Sequence, residues 1–316
     1  MLWSDLLCHA KATGLADCGI VDAADSRRWP LFQKWLADGN AADMAWLNRY
    51  EEARRHPRFV FPQVQSLLIV ALAADQPRRK NHQSPNSSPG QEKCGLFIDY
   101  ATRVDYHHEL RRRAGELTHI LTKVIPDLKV RIVVDTAPLL EKEWAERAGL
   151  GRLGRNCLLL HPTLGSRFFL GAILLSKSTA DLFEGTAPQE KELENSFSSC
   201  GSCRRCLDAC PTHALLGNGT LDARKCLNYW SIEAPAMPVP DAIKNAWGRT
   251  LYGCDRCQKV CPHNHRETDY PPLALPLDTV TAMTELDFRH FWQETPVARI
   301  GLAGLKRNAS LCRYGD

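Results

Sequence analysis

The chain has 316 residues, 44% of them hydrophobic and 24% charged, with a formal net charge of +4. Such a length can bury one large core or two medium ones, and the composition excludes a mostly disordered, collagenous or coiled-coil chain. The mild positive charge permits a nucleic-acid partner without requiring one. The longest apolar runs, residues 66–74 and 168–175, fall well short of a membrane span. The first fourteen residues carry Asp5 and His9 and lack the long apolar stretch of a secretory signal, so the expected location is the cytoplasm.

Taken in chain order, apolar spacing predicts helices over 2–13 and 29–39 and a continuous apolar strand over 66–74. Residues 76–93, rich in Pro, Ser, Asn, Gln and Lys, read as a mobile surface loop. A helix over 106–124, a strand over 129–134 and a helix over 139–148 follow. Residues 156–160 and 167–175 read as two strands joined by a turn at 161–166. Helices alternating with strands imply an α/β sheet domain over 1–190 within a chain of α+β class. The composition turns polar and acidic near 182–199, which places a boundary there. A cysteine-rich, ferredoxin-like domain is assigned to 191–272, and 273–316 to a short tail packing on the core, with an amphipathic piece over 286–292 and the basic pair Lys306-Arg307.

Thirteen cysteines are the compositional anomaly. Cys8, Cys18, Cys94, Cys157 and Cys312 are scattered and read as inert small hydrophobes. The other eight are patterned. Cys200, Cys203, Cys206 and Cys210, the last followed by Pro211, reproduce the bacterial ferredoxin run, in which three thiolates hold one 4Fe-4S cube and the fourth reaches a different one. Cys254, Cys257 and Cys261, followed by Pro262, repeat that run with its first cysteine displaced upstream to Cys226. Pseudo-symmetry then gives one cluster to Cys200, Cys203, Cys206 and Cys261, and the other to Cys226, Cys254, Cys257 and Cys210. Zinc sites use CxxC pairs but not this spacing. Two clusters make a short electron wire, and about 190 residues upstream remain to house what accepts the electrons.

Upstream, Asp135 ends the apolar stretch Val133-Val134 and precedes Thr136-Ala137-Pro138. A carboxyl at a strand end beside a bulky cofactor is desolvated, which raises its pKa towards the range useful for donating a proton. A helix cap for the segment that follows is the competing assignment. Glu146-Arg147-Ala148-Gly149-Leu150-Gly151 and Gly154-Arg155-Asn156 form a Gly-rich turn after a helix, which a C-cap largely explains.

These stretches, together with Asp105-Tyr106-His107, Leu110-Arg111, Asp43-Met44-Ala45-Trp46-Leu47, Arg54 with Pro57, and Arg307-Asn308-Ala309, resemble the epoxyqueuosine reductase family over nearly the whole chain. The resemblance implies cobalamin in the N-terminal domain, two 4Fe-4S clusters beside it, and a tRNA anticodon loop presenting an epoxide at its wobble nucleoside. It implies Asp135 as proton donor, with Arg54, Leu159, Leu170, Asn228 and Asp255 at or near the cobalamin. Where the family often has a basic residue, this chain has Asp99. A monomer fed by an external low-potential donor of ferredoxin or flavodoxin type is expected. Arg204, Arg205, Arg224, Lys225, Lys306 and Arg307 are candidate phosphate contacts or, equally, an ordinary solvated face. Two other readings use the same motifs: a cobalamin-dependent reductive dehalogenase, and an electron-transfer subunit that carries two clusters for a partner.

Overall fold

The computed structural model describes residues 1–75, 93–184, 189–192, 199–235, 237–264 and 273–312. The loop expected over 76–93 lies, apart from Lys93, outside the described residues, as does much of the boundary expected over 182–199.

A four-stranded sheet organises the N-terminal half, in the order β1 (Asp17–Asp22), β2 (Ser66–Ala73), β7 (Phe168–Leu175), β4 (Val130–Val133). Every neighbouring pair is antiparallel. The apolar run of β2 is continuous because both of its faces are covered. Leu68, Val70 and Leu72 pack with Leu6 and Ala10 of α1 (Trp3–Ala12) and with Leu110, Ala114, Leu117 and Leu121 of α4 (Tyr106–Val124). The alternate residues Leu67 and Ile69 pack on the opposite face against Trp144 and Ala145 of α5 (Glu141–Arg147) and against Ala53, Val60 and Val64. Helices α2 (Trp29–Ala37) and α3 (Glu51–Arg55) complete the N-terminal set.

β1 has no signal in the sequence, because its four buried residues between Asp17 and Asp22 are too few to show a period. One expectation needs correction. The segment over 156–160 is only β6 (Leu159–Leu160), and it pairs with β5 (Arg152–Leu153) rather than with β7. The chain doubles back at Gly151 and Gly154, where added Cβ atoms would run into Leu160.

A second sheet, in the order β8 (Thr250–Tyr252), β3 (Cys94–Phe97), β9 (Ala274–Pro276), joins distant parts of the chain. Phe97, Leu251 and Tyr252 share a core with Leu275, Val280, Phe288, Trp292, Val297 and Leu305. Residues 273–312 are therefore a folded layer of strand and helices that supplies most of that core. The amphipathic piece expected over 286–292 is the helix Glu285–Trp292, started by a Thr284–Asp287 capping box.

Helix α5 is held by buried charge. The Glu143 carboxylate accepts from Ser26 Oγ, from Arg27 N at 2.7 Å and Arg28 N at 3.1 Å, and lies 3.5 Å from Arg147. Glu146 accepts from Arg28 at 2.6 Å and from Leu153 N at 3.1 Å, which ties the β5–β6 turn to the helix. Removing Glu143 strands the Ser26 hydroxyl and the Arg27 and Arg28 N–H groups, whereas Arg147 keeps Glu190 at 2.9 Å. Glu143→Ala should cost at least about 1–3 kcal/mol, read as a lower urea midpoint; an unchanged midpoint would show that the stranded donors find other partners.

Candidate functional site

The ends of the sheet strands open onto a cavity of about 560 Å³. Ala74, Asp135, Phe168, Phe169 and Leu170 form its sheet-end wall, Tyr100 and Tyr106 extend it, and Glu141, Lys142, Asn156 and Leu159 flank it. Cys210, Cys226, Cys254 and Cys257, with Asn228 and Asp255, line the same cavity. Five of the six residues that the resemblance places at the cofactor therefore line one space. Arg54 is not among the lining residues. Its guanidinium lies 5.5 Å from the centre of the Phe32 ring, and Glu141 contributes to its electrostatic surroundings.

The aromatic wall is ordered by stacking. Tyr106 and Phe169 lie parallel with centroids 4.0 Å apart, and Tyr100 meets Phe169 edge-on at 5.5 Å. The Asp99 carboxylate is bound by Arg103, itself almost fully buried, at 3.0 Å. Asn156 is 4% exposed, and its buried Nδ2 has no hydrogen-bond partner among the described residues. A buried donor without a partner is costly. At a cavity wall it is available to a polar ligand.

Asp135 is not a helix cap: α5 begins after Leu140, with no side-chain cap. Its Oδ2 instead lies 2.9 Å from His107 Nε2 and 3.3 Å from the Tyr106 hydroxyl, which donates to it. His107 Nδ1 lies 2.6 Å from Asp105, whose carboxylate also accepts from His107 N and so starts α4. Two carboxylates thus bracket one imidazole. Burial opposes charge on His107, but the hydrogen bonds to Asp105 and Asp135 prevail and push its pKa up to about 9. The helix N-terminus also disfavours a cation there, but by only about 0.3–1 kcal/mol, less than two adjacent carboxylates supply. The same contact with His107 holds the Asp135 carboxyl below its ordinary value, against the opposing effect of burial. This reverses the expectation that desolvation raises Asp135. At neutral pH the proton of this chain rests on His107, one hydrogen bond from Asp135.

Asp135 has φ 53°, a left-handed conformation that glycine adopts freely and that aspartate tolerates better than most other residues. Its backbone N–H donates to Glu141 Oε1 at 3.0 Å. Burial, and then the charge of Asp135, push Glu141 up to about 8. Sequence reasoning assigned no role to His107, Glu141 or Asn156. His107 and Asn156 fall inside motifs already singled out, but their partners come from other elements.

The thiols fall into two neighbourhoods. Cys206 is influenced by Cys200 and Cys261, and Cys261 by Cys200 and Cys203. Cys226 is influenced by Cys210, Cys254 by Cys226, and Cys257 by Cys254, Cys226 and Cys210. Burial raises the pKa of Cys206, Cys226, Cys254, Cys257 and Cys261, so metal binding there must expel protons. Cys210 Sγ accepts from Ala214 N at 3.3 Å, the kind of contact that tunes a cluster's potential. Of the scattered cysteines, Cys18, Cys94 and Cys157 are buried, Cys312 is partly buried and Cys8 is exposed.

The candidate phosphate contacts divide. Arg307 donates to the carbonyls of Trp230 at 2.7 Å and Ala234 at 3.2 Å, so it clamps backbone rather than facing solvent. Arg224 is paired with Asp222 at 2.8 Å. Arg204, Arg205 and Lys225 are exposed, and Lys306 is partly so.

Residues 199–264 match a family model described as a 4Fe-4S double cluster binding domain. Residues 54–136 match one described as epoxyqueuosine reductase QueG, DUF1730. An epoxyqueuosine reductase of Synechocystis is 36% identical over 287 residues, 88% of this chain and 92% of the relative. The chain belongs to the epoxyqueuosine reductase family. A second epoxyqueuosine reductase, from Gloeobacter violaceus, is 35% identical, with 95% of this chain and 92% of the relative covered. Among solved structures, the epoxyqueuosine reductase of Streptococcus thermophilus has a TM-score of 0.83 at 25% identity, covering 98% of this chain and 80% of that one. An epoxyqueuosine reductase with a tRNA-Tyr epoxyqueuosine-modified stem loop has a TM-score of 0.80 at 28% identity, with the same coverage. The Bacillus subtilis enzyme, solved with its catalytic aspartate loop swung out of the active site, has 0.77 at 28% identity, again covering 98% and 80%. Among the described residues, no helix is long and apolar enough to cross a membrane.

The bracketed imidazole is directly measurable. His107 should titrate in NMR near 9 rather than at the ordinary value of about 6.5. Asp105→Asn should lower that midpoint by a unit or more. An ordinary midpoint in the unaltered protein would contradict the arrangement.

Proposed function

We propose that the chain reduces epoxyqueuosine to queuosine at the wobble position of tRNA, with cobalamin in the cavity and electrons relayed through two 4Fe-4S clusters. One observation carries this reading: a single cavity is lined both by Asp135, at a sheet end, and by the thiols Cys210, Cys226, Cys254 and Cys257. Electrons and protons can therefore meet in one space.

The wall suits a large, mostly apolar ring with polar edges. Leu159, Leu170, Phe168 and Phe169 offer apolar surface, while Asn156 Nδ2, Asn228 and Asp255 offer hydrogen-bonding groups. A bound corrinoid supplies a reducible cobalt centre next to the substrate. The overall change consumes two electrons and two protons: both C–O bonds of the epoxide break, a C=C bond forms, and the oxygen leaves as water. Asp135, a carboxylate at rest, relays to the departing oxygen the proton that His107, bonded to the same carboxylate oxygen, gives up. Tyr106 fixes that carboxylate from the other side. The aspartate loop described for the Bacillus subtilis relative suits Asp135, which also lies in a loop, between β4 and α5.

Cys200, Cys203, Cys206 and Cys261 would hold one cube, and Cys226, Cys254, Cys257 and Cys210 the other. The second set lines the cavity, so its cube is the terminal donor and the first receives electrons from an external low-potential protein of ferredoxin or flavodoxin type. Arg205 and Lys225 remain open to tRNA phosphates, Arg204 lies 3.9 Å from Asp208, and the chain works as a monomer.

The deciding experiment is anaerobic turnover of an epoxyqueuosine-bearing tRNA stem loop, followed by mass spectrometry of the nucleosides. Loss of one oxygen to give queuosine is expected; recovery of unchanged epoxide by the fully reconstituted protein would overturn the reading. Asp135→Asn should keep corrinoid and iron while turnover falls by roughly 10²–10⁴-fold. Cys261→Ser should damage the cluster of Cys200, Cys203 and Cys206, detected by EPR; damage confined to the cluster of Cys254 and Cys257 would refute the crossed pairing.

A further inference from the structure

The backbone of Asp135 poses a problem that its side chain does not solve. The residue stands in the left-handed region at φ 53°, where a side chain is disfavoured, and the loop from Val134 to Leu140 carries no regular element. The contacts of its carboxylate with His107 and Tyr106 fix the tip of the residue, and the carbonyl of the peptide before it accepts from Thr136 N and Thr136 Oγ1 within the same loop, which does not anchor that peptide to a regular element. That peptide is held by Glu141, whose Oε1 accepts from Asp135 N at 3.0 Å across the loop.

We propose that Glu141 is a positioning residue for the reaction: its carboxyl latches the Asp135 peptide in the conformation that aims the Asp135 side chain into the cavity. The proposal rests on the reading of Asp135 as proton donor and adds how that donor is kept in place.

Three observations support the latch. Glu141 is the first residue of α5, so the acceptor is mounted on a helix whose next residues, Glu143 to Arg147, are buried. A rigid element therefore carries the acceptor, and the loop alone carries the donor. Second, Glu141 lines the same cavity as Asp135, so the two carboxyls share one wall. Third, Glu141 is set up to accept as a neutral acid. Asp135 and His107 lie near it across the loop, Lys142 is its own neighbour, and Arg54 of α3 lies within electrostatic reach. Lys142 directs its ammonium to the Cys157 carbonyl at 2.7 Å. Burial and the Asp135 charge keep Glu141 largely protonated at neutral pH. Its carbonyl oxygen then accepts the Asp135 N–H without setting a second negative charge beside the first. A glutamine can do the same; an alanine cannot.

The test compares Glu141→Gln, Glu141→Ala and Asp135→Asn in protein carrying both clusters and corrinoid. Two readouts are taken: hydrogen–deuterium exchange of the peptide spanning residues 134–139, and kcat and KM on the epoxyqueuosine stem loop. Glu141→Ala should speed exchange in that peptide and lower kcat by roughly 5- to 30-fold, the effect of one lost hydrogen bond on a two-state loop. Its KM should be unchanged. Glu141→Gln should stay within about twofold of the unaltered protein in both readouts, since it retains the acceptor. Wild-type exchange and kcat in Glu141→Ala overturn the latch, and so does a Glu141→Gln variant as impaired as Glu141→Ala with unchanged exchange, which would make Glu141 an acid instead. Asp135→Asn separates the two claims: wild-type turnover there removes the acid reading on which the latch rests, whereas lost turnover there beside an unaffected Glu141→Ala removes the latch alone. If Glu141→Ala does not accumulate as folded protein, Glu141→Leu, of similar bulk and without an acceptor, takes its place in the same comparison.

Discussion

A sheet covered by helices on both faces leaves only its strand ends free for chemistry. In this chain β2 and β7 are buried on either side, by α1 and α4 on one face and α5 on the other, and the cavity lies where β4 ends and β7 begins. The antiparallel pairing of β4 with β7, with Val133 opposite Ala172, brings the residues after β4 alongside the first residues of β7. Asp135 and Leu170 consequently face one cavity. The cysteine-rich region contributes Cys210, Cys226, Cys254 and Cys257 to the lining of the same space, and the remaining features follow from that meeting.

The electrostatics of the cavity are a contest among negative groups. Asp135, Asp105 and Asp255 are close by, and each oxidised four-thiolate cube would add roughly two negative charges. Such a field would be hostile to an acidic proton donor that had to ionise alone. The chain meets it by setting His107 between two carboxylates, so that the mobile proton resides on a base held cationic, and by leaving Glu141 largely neutral. Both groups are built from local geometry: Asp105 is at once the cap of α4 and the partner of His107. One side chain therefore starts the helix and charges the imidazole.

How far the sequence was legible depended on how local each interaction is. Seven of the eight patterned cysteines are read as cluster ligands from spacings of two and three residues, and Cys226 only from the likeness of the two runs. Asp135 could be located from the strand before it, but not its ionisation, because His107 lies 28 residues upstream and reaches it only through the packing of α4 on the sheet. Glu141 carries no motif of its own; what makes it notable is the positive φ of Asp135, which appears only in three dimensions. Arg307 looked like a surface cation beside Lys306, yet its guanidinium is consumed by backbone carbonyls of the cysteine-rich region. The sheet of β3, β8 and β9 was invisible because its strands are three or four residues long and come from parts of the chain far apart in sequence.

The central claim is that the cavity at the sheet end is where the corrinoid meets the cluster held by Cys210, Cys226, Cys254 and Cys257. The most direct measurement is EPR of the reduced protein with and without bound corrinoid in its paramagnetic Co(II) state, using Cys226→Ser to mark which signal belongs to that cluster. The account predicts that corrinoid binding broadens or splits the signal sensitive to Cys226 and leaves the other cluster much less affected. Two cluster signals unchanged by a bound corrinoid, or perturbation only of the cluster of Cys200, Cys203, Cys206 and Cys261, would contradict it.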